Sequence, residues 1–321
     1  MGLSVKKARH CTIVIPAYNE AENLPIVIPD IVAHIEKLDT AYRVLIIDDG
    51  SSDGTSVEIT KLIKKYPTIL GEAMPRNMGK AAALKHGFAV AEDLGSEIVI
   101  MMDADGQDDP AELETLINKL DEGFDLVTGA RYTRNDRFIK RTTSKLYNRT
   151  TSMISGVKGK DFNSGFKVMR LSVAQAVGSM MYGEMHRYLT VIASWFGYRI
   201  TEVHVTHRKR FLGKSKYGIA RFWRGFIDLV TIRFLLAYES RPSHLIGAFG
   251  VLSLLGGIGI LGYVSVLRVF YDAAIGNRPI LTIGVLLTVV GIQLLVFGLL
   301  AELQVFMRHR SNDVKTRSLN K

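Results

Sequence analysis

The chain predicts an α/β fold in which a mostly parallel sheet carries helices on both faces, followed by interfacial amphipathic helices and a two-helix transmembrane hairpin. Three observations lead there. Short β-branched apolar runs alternate with helical patterns through residues 10–130, acid-rich clusters follow several of those runs, and two uncharged apolar stretches of membrane-crossing length lie near the C-terminus.

The strand runs are HCTIVIP, YRVLIID, TILGEAM, EIVIMMD and DLVTGAR. They are short, β-branched and apolar, the pattern expected of strands in a parallel sheet covered on both sides. Between them NLPIVIPDIVAHIEKL, DGTSVEITKLIKKY, GKAAALKHGFAVAEDL and DPAELETLINKLDEG show apolar residues at helical spacing. Strand-helix alternation implies parallel pairing, which brings the polar clusters after the strands to one edge of the sheet, where ligands bind. Cys11, the only cysteine, excludes an internal disulfide and is expected to be a buried filler in its apolar run.

Further along, residues 134–155 carry Arg134, Arg137, Arg141, Lys145 and Arg149 opposite Ile139, Leu146, Met153 and Ile154, which predicts a basic amphipathic helix. A second, at 218–238, sets Ile219, Phe222, Trp223, Phe226 and Val230 against Arg221, Arg224 and Asp228. Leu245 to Leu267 and Ile280 to Ala301 are each long enough to cross a bilayer as a helix. The tail MRHRSNDVKTRSLNK is basic, as is the stretch before the first span, so both termini are expected on the cytoplasmic side of a cell membrane, around a multi-pass hairpin. The expected organisation is a catalytic domain at 1–217, an interfacial helix at 218–243, the hairpin at 244–307 and a basic tail at 308–321. The basic N-terminus lacks the apolar core of a signal peptide, so the front half is expected to stay untranslocated.

A formal charge of +10 favours an anionic partner, and composition alone leaves nucleic acid, phospholipid and phosphorylated small molecules open. The stretch IVIMMDADGQDDP is more specific. A buried strand that runs into Asp103, Asp105, Asp108 and Asp109 needs cations nearby, because clustered carboxylates repel one another. A calcium hand is excluded, since its sixth position holds Asp108 where Gly is required and a strand precedes the loop. Asp108 and Asp109 are expected to cap the helix starting near Pro110. No GxGxxG follows the first strand, which disfavours a hydride-transfer enzyme.

Taken in order, VIPAYNE, IDDGSSDGT and DADGQDDP resemble the inverting nucleotide-sugar glycosyltransferases of the GT-A fold, family 2. GARY, FNSGFKVMR, GEMHRY and HRKRFLGKSKYG, with the hairpin after them, are similar to the polyprenyl-phosphate branch, which holds dolichol-phosphate mannose synthases and undecaprenyl-phosphate glucosyltransferases. The resemblance implies Mg²⁺ or Mn²⁺ on Asp103, Asp105 and Gln107, with Asp105 and Arg131 catalytic. It also implies nucleotide contacts from Pro16, Tyr18, Glu20, Asp49, Lys80, Asp103 and Ala104, while Asp48 is structural. The acceptor phosphate would meet Arg131, Arg141, Arg210, Ser215 and Lys216. His186 and Arg187 would line the donor-sugar pocket unless they serve the core. Glu302 is expected to pair with a polar or basic neighbour.

The activity so implied is inverting hexose transfer from a nucleotide diphosphate sugar, UDP-glucose first and GDP-mannose second, to a polyprenyl phosphate in the membrane. A processive polysaccharide synthase is disfavoured because the QxxRW motif is missing. Nucleic acid is not an expected partner, and homo-oligomerisation stays open. A membrane-tethered protein that only binds anions is the non-enzyme alternative, and it leaves the ordered acidic motifs without a role.

Overall fold

The computed structural model describes residues 9–131 apart from 39, 148–208 apart from 154 and 158, then 231, 234 and 242–318 apart from 273, 275, 277 and 278. The chain forms two compact units, one ending at Val230 and the other beginning at Thr231.

In the first unit the five expected strands form as β1 (His10–Ala17), β2 (Ala41–Asp48), β3 (Ile69–Ala73), β4 (Ile98–Met101) and β5 (Leu126–Ala130). The intervening helices are α1 (Leu24–Ile35), α2 (Thr55–Lys65), α3 (Lys80–Asp93) and α4 (Leu113–Asp121). Burial follows the periodicity: Leu24, Val27, Ile28, Ile31, Val32 and Ile35 of α1 all face the core. Cys11 is 2% exposed, as its apolar run implies.

A short helix, α5, covers residues 148–153. Then follow β6 (Lys167–Arg170), α6 (Leu171–Gly178), a 3₁₀ turn at Met185–Tyr188, α7 (Leu189–Trp195) and β7 (Ile200–His204). Strands β6 and β7 fall outside the five apolar runs. β6 has only four residues and starts with a lysine, while β7 is half-exposed along its length.

The seven-stranded sheet has the order β3-β2-β1-β4-β6-β5-β7. β6 runs antiparallel to both β4 and β5, and the other pairings are parallel. The C-terminal ends of six strands and the N-terminal end of β6 therefore meet at one edge, and the acid-rich loops gather there.

The second unit is a pair of antiparallel helices, Pro242–Tyr271 and Pro279–Ser318. Ser243–Tyr271 and Pro279–Val305 are long and apolar enough to cross a membrane. Glycine allows their close approach. A Cβ on Gly257 would lie 2.4 Å from Thr288 Oγ1, and one on Gly291 would lie 2.6 Å from Leu254 N. Glu302 accepts from Ser243 Oγ at 2.7 Å, the kind of polar pairing expected of it. The predicted amphipathic helices at 134–155 and 218–238 lie outside the described residues for most of their length.

Candidate active site

The loops after β1 and β2 are tied together. Asn19, in the left-handed region at φ 55, accepts from Ser52 N through Oδ1 at 2.9 Å, and Asn19 N donates to Ser51 Oγ at 3.0 Å. Glu20 accepts from Asn23 Nδ2 at 2.5 Å, Tyr18 is 41% exposed, and Pro16 sits in register with Ile47. Asp48 is structural: it accepts from Ser51 N at 2.9 Å and from Ser56 Oγ. Asp49 accepts from Met78 N at 2.7 Å and Gly79 N at 2.9 Å, so this expected nucleotide ligand fastens the loop that carries Lys80. Gly50 is required at φ 64, where a Cβ would also come within 2.3 Å of the Arg76 carbonyl carbon.

Lys80 opens α3 and forms an ion pair with Asp103. Burial would push the Asp103 carboxyl up, but Lys80, with Arg131 and His186 adding to it, holds the carboxyl below its ordinary range. Ala104 and Asp105 are buried, and Asp105 Oδ1 accepts from Gln107 N at 3.1 Å. Asp109 caps the 3₁₀ turn at Pro110–Glu112 by accepting from Ala111 N at 3.0 Å, as expected.

Asp108 does not act as a cap. It turns back under the loop and accepts from Asp103 N at 3.1 Å, because the tight loop needs that backbone donor satisfied. Burial first, then the charges of Asp103 and Asp105, push the Asp108 carboxyl up to about 7. Among the described residues no three His, Cys, Asp or Glu side chains form a ready metal set. The donor chemistry nevertheless fits a hard divalent ion, since Asp103 and Asp105 are carboxylates two residues apart on one loop.

Arg131 follows β5 and is gripped by Asp161. Nε donates to Oδ2 at 2.6 Å and Nη2 to Oδ1 at 3.0 Å. Burial would lower the guanidinium pKa, yet the Asp161 charge and hydrogen bonds raise it. The segment containing Asp161 is itself held. Glu202 on β7 accepts from Lys160 N at 2.8 Å and Asp161 N at 3.2 Å, and the fully buried Lys167 donates to Ser164 O at 2.5 Å. Gly165 passes directly behind the acidic loop, where a Cβ would lie 2.6 Å from Asp103 Cγ.

The fold thus brings Lys80, Asp103, Ala104, Asp105, Gln107 and Arg131 to one edge, with His186 within the electrostatic reach of Asp103. Arg187 pairs with Glu184 at 2.5 Å. Arg141, Arg210, Ser215 and Lys216 lie outside the described residues. Asp161, Gly165, Lys167 and Glu202 were not singled out by sequence. FNSGFKVMR signals two of them, whereas Asp161 and Glu202 stand out only through the contacts they make.

A mostly parallel sheet with this acidic loop at its edge is the GT-A arrangement, and fold and site together define a glycosyltransferase. The chain belongs to glycosyl transferase family 2, whose family description, "Glycosyl transferase family 2", matches residues 12–178. It is 32% identical to a dodecaprenyl-phosphate galacturonate synthase of Rhizobium johnstonii, over 91% of this chain and 86% of that protein. It is 31% identical to an undecaprenyl-phosphate 4-deoxy-4-formamido-L-arabinose transferase of Salmonella paratyphi A, over 95% and 90%. Among solved structures, mannosyl-3-phosphoglycerate synthase from Rubrobacter xylanophilus matches with a TM-score of 0.52 at 14% identity, over 72% of this chain and 75% of that one. Glucosyl-3-phosphoglycerate synthase from Mycobacterium tuberculosis, in complex with Mn²⁺, uridine diphosphate and glucosyl-3-phosphoglycerate, matches with a TM-score of 0.50 at 18% identity, over 70% and 80%. These two likenesses concern the fold.

Proposed function

We propose that the protein transfers a sugar from a nucleotide diphosphate sugar to a polyprenyl phosphate at a membrane, with inversion at the anomeric carbon. The observation that carries this is the juxtaposition of Asp103 and Asp105 with the cations Lys80 and Arg131 at one sheet edge. The names of the two relatives and the apolar helix pair support the lipid acceptor.

Phosphate monoesters have a second pKa of about 6, so the acceptor is largely dianionic near pH 7 and needs no protein base. One phosphate oxygen forms the new bond to the anomeric carbon as the bond to the nucleotide diphosphate breaks, and the leaving diphosphate takes the electron pair. Arg131, oriented by Asp161, would hold the attacking phosphate, while Lys80 would meet the donor diphosphate. Mg²⁺ or Mn²⁺ held by Asp103 and Asp105, with Gln107 beside them, would supply Lewis-acid stabilisation of the leaving group. The Mn²⁺ in the mycobacterial complex supports that choice.

The spans would anchor the enzyme in the cell membrane with both termini on the cytoplasmic side. UDP-glucose is the donor expected from GEMHRY and GKSKYG, and the relatives' names add galacturonate and 4-deoxy-4-formamido-L-arabinose as donor sugars to be tested. The test is incubation of the full chain in vesicles with polyprenyl phosphate, Mn²⁺ and labelled UDP- and GDP-sugars, with and without chelator. A glycolipid that forms only with metal, and is lost in a folded Asp105→Ala variant, is the expected result. Full activity in chelator would remove the metal, and no glycolipid from any donor would remove the transfer reaction.

A further inference from the structure

Beyond His204 the chain runs along the acidic loop. Thr206 N donates to Glu112 Oε1 at 3.0 Å, His207 and Asp108 pair as an antiparallel bridge, and Arg208 N donates to Gln107 O at 2.9 Å. The Arg208 guanidinium then forks between two elements. Nη1 meets Asp30 Oδ2 on α1 at 2.6 Å, and Nη2 meets Asp109 Oδ1 at 2.6 Å. Asp109 also caps the 3₁₀ turn through that same oxygen, so a single carboxylate joins the end of the acidic loop, the following turn and this arginine.

From this geometry we propose that Arg208 is a positioning residue for the acidic loop, setting Asp103 to Gln107 against α1 in the arrangement that receives a divalent cation and the donor diphosphate. The proposal rests on the function proposed above. Three features favour positioning over direct contact with a phosphate. Both terminal nitrogens are committed to carboxylates, the backbone of the same residue is bonded to Gln107, and the side chain is only 30% exposed. The planar fork also matters. A lysine is a point charge without two divergent donor groups and could not span the two acids in the same way. Arg208 belongs to the basic stretch HRKRFLGKSKYG, yet it faces acids of the fold.

The test compares the full chain with Arg208→Gln, Arg208→Lys and Asp30→Asn. The readouts are hydrogen exchange across residues 103–112, Mn²⁺ binding by spin resonance, and steady-state kinetics. In Arg208→Gln the loop is expected to exchange faster and Mn²⁺ to bind about tenfold more weakly, the scale of an outer-shell loss, with the polyprenyl-phosphate KM unchanged. Arg208→Lys should fall between, which keeps the test open if the glutamine variant misfolds. Asp30→Asn should reproduce part of the effect on the loop and add little to Arg208→Gln there, because its contact to Arg208 is one of the two that Arg208→Gln already removes. Unchanged exchange and Mn²⁺ binding would overturn the proposal. So would a raised acceptor KM with Mn²⁺ binding intact, which would make Arg208 an acceptor ligand. A wild-type chain that makes no glycolipid would defeat the proposed function alone, since exchange and Mn²⁺ binding still decide the role of Arg208.

Discussion

Asp161 holds Arg131 through both carboxylate oxygens, at 2.6 Å and 3.0 Å, and Glu202 in turn holds the backbone on which Asp161 sits. The pair is nearly buried, with side chains 16% and 3% exposed. Breaking a buried pair by removing one charge costs about 3–5 kcal/mol, because the remaining charge is left uncompensated. Asp161→Asn is therefore expected to lower the melting temperature and to reduce kcat/KM for polyprenyl phosphate by about a hundredfold through loss of arginine orientation. Acceptor kinetics equal to wild type would rule out the acceptor role proposed for Arg131.

Lys80 occupies the carboxylate that a divalent ion would need. Since two cations at Asp103 repel each other, Lys80→Met should bind Mn²⁺ several-fold more tightly, to the extent of about 1 kcal/mol, when no nucleotide is present. The same variant should bind the nucleotide diphosphate more weakly if Lys80 makes the phosphate contact proposed for it. Paired titrations of metal and nucleotide check this, and weaker Mn²⁺ binding would contradict it.

Gly165→Ala isolates the geometry of the acidic loop. The added methyl would sit 2.6 Å from Asp103 Cγ, so the carboxylate must move, and nothing in the residue's backbone conformation opposes alanine. Turnover should fall at least about tenfold, since small displacements of positioned groups are costly to rate. Thermal melting should change little by comparison. Melting curves and single-turnover rates on one preparation test the difference.

Lys167 lies fully buried under the FNSG turn, and burial pulls its pKa from 10.5 down to about 8. The folded value is below the unfolded one, so between about pH 8 and 10.5 the unfolded state binds more protons and stability rises with pH. Below pH 8 both states are protonated and this contribution is flat. Lys167→Met should lose the rise, and melting temperatures over this range will show whether it does.

Much of this protein could be read along the chain. Five strands, their intervening helices and the two apolar spans are local patterns, set by side-chain periodicity and by the length needed to cross a bilayer. The acidic loop was legible for a related reason: four aspartates after an apolar strand demand cationic company wherever they fold. Tertiary structure decided which cations these are and what restrains them. Lys80 reaches Asp103 only because β3 and β4 flank β2 and β1 in a parallel sheet, and Asp161 reaches Arg131 only because β6 enters antiparallel between β4 and β5. It also gave Asp108 to a backbone amide instead of a helix end, and Arg208 to two acids far away in sequence. Such pairings depend on distances across the sheet, and residues brought together by strand order carry no common spacing in the sequence.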